Sequence, residues 1–247
     1  MKNQPRMRAT VATDPDQRTR KAMTGVLSEL VENVVSGTWP AGELLPAEET
    51  LLEHFGVSRP TLREGLQHMV AQGLIRSRPR AGTVVLPQSS WNLLDPLVLE
   101  AALRHVRDRK FYDNLIDARM LIEPEAAAQA ATNGTPRALA TIGAAFADMV
   151  ESEGRDTESW SIADLTFHTA IIEASDNWVL RQFIVAIRAA LMTSFRMTNR
   201  ASQSHEQAIE MHRKVHDAIQ RRAAPAARTA MQDLIGLARI DMDRTLS

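Results

Sequence analysis

Between Arg59 and Arg80 the chain carries five arginines against a single acid, Glu64, a local balance of +4 in a protein of formal net charge −1. The positive charge is therefore placed, not general. A guanidinium offers a planar fork of donors that grips phosphate oxygens or the O6/N7 edge of guanine, and in a narrow minor groove it acts by charge alone. An isolated run of this kind reads as a solvated helix face. Its setting gives it chemical meaning: Arg59, Arg63 and Gln67 stand four residues apart, and Arg76, Arg78 and Arg80 punctuate a polar loop. Together they point to a nucleic-acid surface.

A second group has different chemistry. Asp164 and His168 are four residues apart, so on a helix they share a face and converge on one cation, and His212 on a later helical segment offers a third donor. Imidazole with carboxylate suits one borderline divalent metal, zinc, nickel or manganese, and open coordination positions would take the carboxylate and hydroxyl of a small acid. The same groups could instead hydrogen-bond an organic acid without metal, or serve structure only. Arg119 lies in an apolar helical pattern with Leu115, Ile116 and Ile122. A buried arginine needs a counter-ion, either an effector carboxylate or Glu123 four residues on. His54, His68, His105 and His205 have no comparable partners in the sequence and read as surface or packing residues.

The elements that must position these groups are legible from local signals. Ser58 is a good N-cap and Pro60 sits in the first turn, where its missing N–H is tolerated. Leu62, Leu66, Met69 and Val70 then recur at helical spacing as a buried stripe opposite the arginines. Gly73 suits the helix end, and Leu74-Ile75 with Thr83-Val84-Val85 predict a short hairpin around Arg76, Arg78, Arg80 and Gly82. Upstream, Val26, Leu27, Leu30, Val31, Val34 and Val35 predict an amphipathic helix over 18–36. A shorter helix follows from about Pro46 to Phe55, with Glu48 and Glu49 in its first turn and Leu51, Leu52 and Phe55 packing inward. Helix, helix, helix and β-wing are complete by Pro87.

With 247 residues, 44% of them hydrophobic and 24% charged, the chain is long enough for two ordinary domains. The absence of cysteine excludes disulfides and thiolate chemistry and suits a reducing, cytoplasmic interior. No apolar run approaches the length of a membrane span, and no apolar signal core is visible near Met1. Residues 1–17 lack hydrophobic period and read as a flexible tail, 18–87 as the DNA-binding domain, 88–96 as a linker with Trp91 packed at the junction, and 97–247 as a second domain. Few aromatics and abundant alanine and leucine make that domain all-helical, with segments near 96–108, 111–131, 136–153, 157–175, 177–198, 205–222 and 224–245 forming an antiparallel bundle. The fold class is therefore mainly α.

Leu45-Pro46-Ala47-Glu48, Phe55-Gly56-Val57-Ser58-Arg59, Leu62-Arg63-Glu64, and Gly73-Leu74-Ile75 through Gly82-Thr83-Val84-Val85 resemble the winged helix of GntR-family transcription regulators. The second half resembles the FCD ligand-binding domain of the FadR subfamily, through Ala118-Arg119-Met120-Leu121-Ile122-Glu123-Pro124, Asp164-Leu165-Thr166-Phe167-His168, Ser175-Asp176-Asn177 and His212-Arg213-Lys214-Val215-His216-Asp217-Ala218-Ile219. Trp91-Asn92-Leu93-Leu94-Asp95-Pro96-Leu97-Val98-Leu99 is similar to the subgroup containing the repressor of galactonate catabolism.

The resemblance implies a homodimeric, ligand-responsive repressor of a sugar-acid catabolic operon, released from operator DNA by a small carboxylate; activation by the same fold stays open. It places DNA contacts at Arg59, Thr61, Arg63, Arg78, Arg80 and Gly82, and effector contacts at Arg119, Asp164, His168 and His212. Many members carry arginine where this chain has Glu49, so operator preference is expected to differ. Metal-binding members carry a further histidine about where Leu234 stands, which leaves three protein ligands, a shell completed by His216 or water, or a metal-free site. A rival reading, a metal-dependent hydrolase using Asp164, His168 and His212, lacks an obvious nucleophile and general-base pair beside them.

Overall fold

The computed structural model describes residues 15–78, 82–106, 108–153, 156–198 and 206–246. The expected tail up to residue 14, Arg80 and His205 lie outside the described residues. The chain divides into two compact units, Met1–Asn92 and Leu93–Ser247.

The first unit holds α1 (Pro15–Val35), α2 (Glu48–Phe55), α3 (Arg59–Ala71) and a two-stranded antiparallel sheet of β1 (Ile75–Arg78) and β2 (Gly82–Val85). All six apolar residues read as the stripe of α1, from Val26 to Val35, are buried. They pack on α3 through Leu62 and Met69, and Gly65 lets the helices close up: a Cβ there would come within 2.9 Å of Leu30 Cδ1. Val70 is a correction to the expected stripe, being 45% exposed, because it lies a quarter-turn from Met69 and away from α1. In α2 only Leu51 is fully buried, and the helix starts at Glu48, not near Pro46. α1 in turn begins at Pro15, three residues ahead of the expected boundary.

β1 and β2 pair from Ile75↔Val85 to Arg78↔Gly82, which buries Leu74, Ile75 and Val85 and leaves Arg76 and Arg78 exposed. The segment before α2 adds to the free edge of β2: Leu45 N–H donates to Thr83 O (2.8 Å), and Val85 N–H donates to Glu43 O (2.9 Å). Edge coverage of this kind removes unpaired backbone groups that the hairpin alone would expose. Of the residues expected to be a linker, 88–92 are held against the same unit, while Asp95 and Pro96 begin the first helix of the second. Gln88–Ser90 form a 3-10 turn, Trp91 Nε1 donates to Leu86 O (3.3 Å), and Asn92 is bonded through backbone and side chain to Gln72. Gly73, at φ +71, makes this approach possible, since a Cβ would sit 2.1 Å from Ser90 O.

The second unit is all helix: α4 (Pro96–His105), α5 (Arg109–Asn133), α6 (Pro136–Ser152), α7 (Thr157–Ala174), α8 (Ile184–Thr198), α9 (Glu206–Gln220) and α10 (Ala224–Leu246). Starts are set by side-chain caps: Asp95 accepts from Leu97 and Val98 N–H, Thr135 from Ala138, and Asp156 from Ser159. α5 packs along α10 and α7, α6 along α7, and α9 along α10, so α5, α7 and α9 meet in one core. The single helix expected over 177–198 is broken, because Asn177 Oδ1 accepts from Val179 and Leu180 N–H and holds a 3-10 turn, Leu180–Phe183, before α8. Among the described residues no helix is long and apolar enough to cross a membrane.

Two glycines separate backbone strain from propensity. Gly73→Ala is expected to destabilise the first unit by at least about 1–3 kcal/mol, from the left-handed backbone plus the clash with Ser90. Gly25→Ala, at an open helical position, should stabilise it by about 0.5–1 kcal/mol. Urea unfolding followed by circular dichroism checks both signs.

Candidate functional site

The arginine surface is built by capping. Ser58 Oγ accepts from Thr61 N–H (3.4 Å) and lies 2.9 Å from Thr61 Oγ1, which starts α3 with Arg59 and Arg63 on its exposed face. Both arginines have partners. Arg59 donates through Nη1 to Glu48 Oε1 (3.2 Å) and through Nη2 to Glu49 Oε1 (3.4 Å), and Arg63 Nε lies 3.4 Å from Glu48 Oε1. The backbone N–H of Glu49 itself and the Arg59 guanidinium hold the Glu49 carboxyl below its ordinary value. Exposed pairs of this type contribute only about 0–1 kcal/mol, so phosphate can displace them. Thr61 is tied to Ser58, Arg78 ends β1 in solvent, and Gly82 opens β2 at φ +85.

In the second unit α5 supplies Arg119 and Glu123, α7 supplies Asp164 and His168, and α9 supplies His212, all buried. Each pair on one helix is spaced i,i+4, which stacks the two side chains on the core-facing side. Arg119 Nε donates to Glu123 Oε1 (2.6 Å), and Glu123 Oε2 accepts from His168 Nδ1. His212 Nδ1 donates to Ala208 O (2.6 Å), since a carbonyl can only accept.

These two bonds decide the chemistry of the cluster. With both Nδ1 atoms committed as donors, the two rings turn their Nε2 atoms inward, 3.3 Å apart, each bearing a lone pair whenever its ring is neutral. Asp164 Oδ1 lies 2.8 Å from His212 Nε2, while Asp164 Oδ2 is buried with no partner, 3.8 Å from His168 Nε2. With the rings neutral, three acceptors within 4.8 Å of one another face a space that needs a positive charge, and either protons on the rings or a metal ion supplies it. Two imidazoles and a carboxylate are an ordinary donor set for zinc, nickel or manganese, and the buried, unpartnered Asp164 Oδ2 fits that set. Burial pushes the Asp164 carboxyl up, but His168 and His212 when they carry protons, with Arg119, outweigh it and hold it below its usual value. Burial likewise raises Glu123, and Arg119 with His168 bring it down to about 2, so it is a fixed anion.

The structure therefore brings together Arg119, Asp164, His168 and His212, and adds Glu123, which the sequence suggested only as a salt-bridge partner for Arg119. Its link to His168 crosses from α5 to α7 and leaves no local signal. His216, one of the alternatives for completing the shell, is not in the cluster: it is half-buried, stacks on Phe146 (4.9 Å) and pairs with Asp217. Leu234 is buried as an apolar residue.

A winged helix with an arginine-bearing third helix, followed by a helical domain with a buried polar cluster, defines a DNA-binding regulator with a sensing domain. Comparisons agree. Residues 23–85 match the gntR family of bacterial regulatory proteins and residues 114–237 match the FCD domain. The chain is 34% identical over 218 residues to the uncharacterized HTH-type transcriptional regulator YieP of Escherichia coli, covering 87% of this chain and 94% of that one. It is 31% identical over 211 residues to the galactonate operon transcriptional repressor of the same organism, covering 85% and 92%. In fold it is similar to Lar of Listeria monocytogenes, with TM-score 0.64 at 20% identity over 90% of this chain and 96% of that one. The protein belongs to the GntR family, in the FadR-type branch that joins the DNA-binding head to an FCD domain.

Removing Glu123 would strand Arg119 in the core. Glu123→Ala is expected to lower unfolding free energy by about 3–5 kcal/mol, whereas Arg63→Ala, at an exposed site, should change it by less than about 0.5 kcal/mol. Guanidinium denaturation of the two variants provides the comparison.

Proposed function

We propose that this regulator is a cytoplasmic homodimer that represses a carbohydrate or sugar-acid catabolic operon and leaves its operator when a small carboxylate binds the FCD domain. The observation that carries the reading is the convergence of Asp164 and His168 of α7 and His212 of α9 on one buried space, in the same helical unit that buries Arg119 on α5. Similarity to a galactonate operon repressor supports the effector class.

In this reading residues 18–87 form the DNA-binding domain, 88–96 the connection and 97–247 the sensor. Arg59, Thr61, Arg63, Arg78, Arg80 and Gly82 meet operator DNA, two heads occupying the half-sites of a near-palindrome. Asp164, His168 and His212 hold one divalent cation, and that cation supplies charge and open coordination positions for the carboxylate and hydroxyl of the acid. Arg119 spends its Nε on Glu123 and offers its terminal nitrogens to the effector carboxylate. Release follows only if the ligand prefers the arrangement that does not fit the operator, because equal affinity for both shifts nothing. An activator of the same fold would differ in the sign of that preference.

The test is a thermal-shift screen of sugar acids and other small carboxylates, with and without zinc, nickel or manganese. A ligand at 100 times its dissociation constant adds about 2.7 kcal/mol of stability. The expected result is a metal-dependent shift from one acid that is lost in His212→Ala, with the same acid releasing operator DNA. A shift unaffected by metal and by His212→Ala would contradict the metal-linked site. On the DNA side, Arg63→Ala should weaken operator binding by about 1–3 kcal/mol at matched salt, measured by fluorescence anisotropy.

A further inference from the structure

The first turn of α2 places two carboxylates beside the arginines of α3. Glu48 has a structural task, since it holds both Arg59 Nη1 at 3.2 Å and Arg63 Nε at 3.4 Å. Glu49 does not. It is exposed, it pairs with Arg59 through Nη2 at 3.4 Å and Nη1 at 3.5 Å, and Glu48 already complements the positive end of the helix dipole. A solvated pair this loose adds little to stability. An unneutralised carboxylate here would repel phosphate and weaken binding to every sequence.

Its position at the tip of Arg59 changes that outcome. The guanidinium has donors to spare, so it can hold Glu49 on one edge and a guanine O6/N7 edge on another, and the carboxylate then enters the groove as part of a neutral pair. In the major groove guanine offers a carboxylate only acceptors and thymine an acceptor and a methyl. Adenine sets its N6 amino group beside the N7 acceptor, whereas cytosine presents its N4 amino group alone. Cytosine is thus the base edge a carboxylate meets without opposing a lone pair.

We infer that Glu49 is a specificity-determining residue that selects a cytosine in each operator half-site, next to the guanine gripped by Arg59. The inference rests on the reading that Arg59 and Arg63 face the major groove. Glu49 then does two things at once: it penalises sites with guanine or thymine at that position, and it keeps Arg59 extended toward its neighbour. The general positive field of the wing is left to Arg76 and Arg78, which have no acid close by in strand β1.

The test is selection from randomised duplexes by the full chain at fixed salt, comparing the unmodified protein with Glu49→Ala, Glu49→Gln and Arg63→Ala. The expected result is a motif with cytosine enriched at one position of each half-site, on the order of fivefold or more over other bases. Glu49→Ala should lose that preference alone and bind random duplex more tightly, and Glu49→Gln should move it toward adenine, whose N6 and N7 an amide satisfies together. Unchanged base frequencies in Glu49→Ala would overturn the inference, as would loss of a guanine preference with cytosine untouched, which would make Glu49 only a brace for Arg59. Failure of the unmodified protein to enrich any motif, with Arg63→Ala indistinguishable from it, would instead remove the DNA-binding assignment beneath it.

Discussion

The sensing domain depends on one buried carboxylate. Glu123 accepts from Arg119 with one oxygen and from His168 Nδ1 with the other, and so joins α5 to α7 across the core. Without Arg119 a buried anion would be costly, and without Glu123 the His168 ring would be free to choose its tautomer. Fixing that tautomer turns His168 Nε2 inward, where it meets His212 Nε2 and Asp164. Burial of so many polar groups in a helical core calls for compensating positive charge, from protons or from a cation. Carboxylate–imidazole pairs of this kind also orient metal ligands and raise their basicity.

The DNA-binding head follows a different logic, of rigid backbone and loosely held charge. Gly65 and Gly73 let helices and turn approach closely, and the pairing of the 42–45 segment with β2 gives the wing a covered edge. On that frame Arg59 and Arg63 are held by Glu48 and Glu49 at distances of 3.2 to 3.4 Å. Such pairs orient the side chains yet yield readily, which suits a surface that must exchange partners on meeting DNA.

What could be read in the sequence was what short spacing encodes. Ser58 as a cap, the α1 stripe from Val26 to Val35, the hairpin from Ile75 to Val85 and the i,i+4 pairs Asp164/His168 and Arg119/Glu123 are all local, and each is found in the structure. What escaped needed tertiary partners. The bond from Glu123 to His168 joins residues far apart in the chain, as does the pairing of Leu45 with Thr83. Val70 matched the helical period but faces away from α1, and the helix expected over 177–198 lost its first turn to a side-chain cap by Asn177. His216 satisfied a ligand's residue type yet found Phe146 and Asp217 nearer to hand.

The central claim, that three inward-facing acceptors hold a cation, is tested most directly by anomalous diffraction at the metal absorption edge, on crystals of the protein grown with zinc, nickel or manganese. The expected result is one peak in the FCD domain bounded by His168 Nε2, His212 Nε2 and an Asp164 carboxylate oxygen. Crystals saturated with each metal that show no peak among these three residues would contradict it.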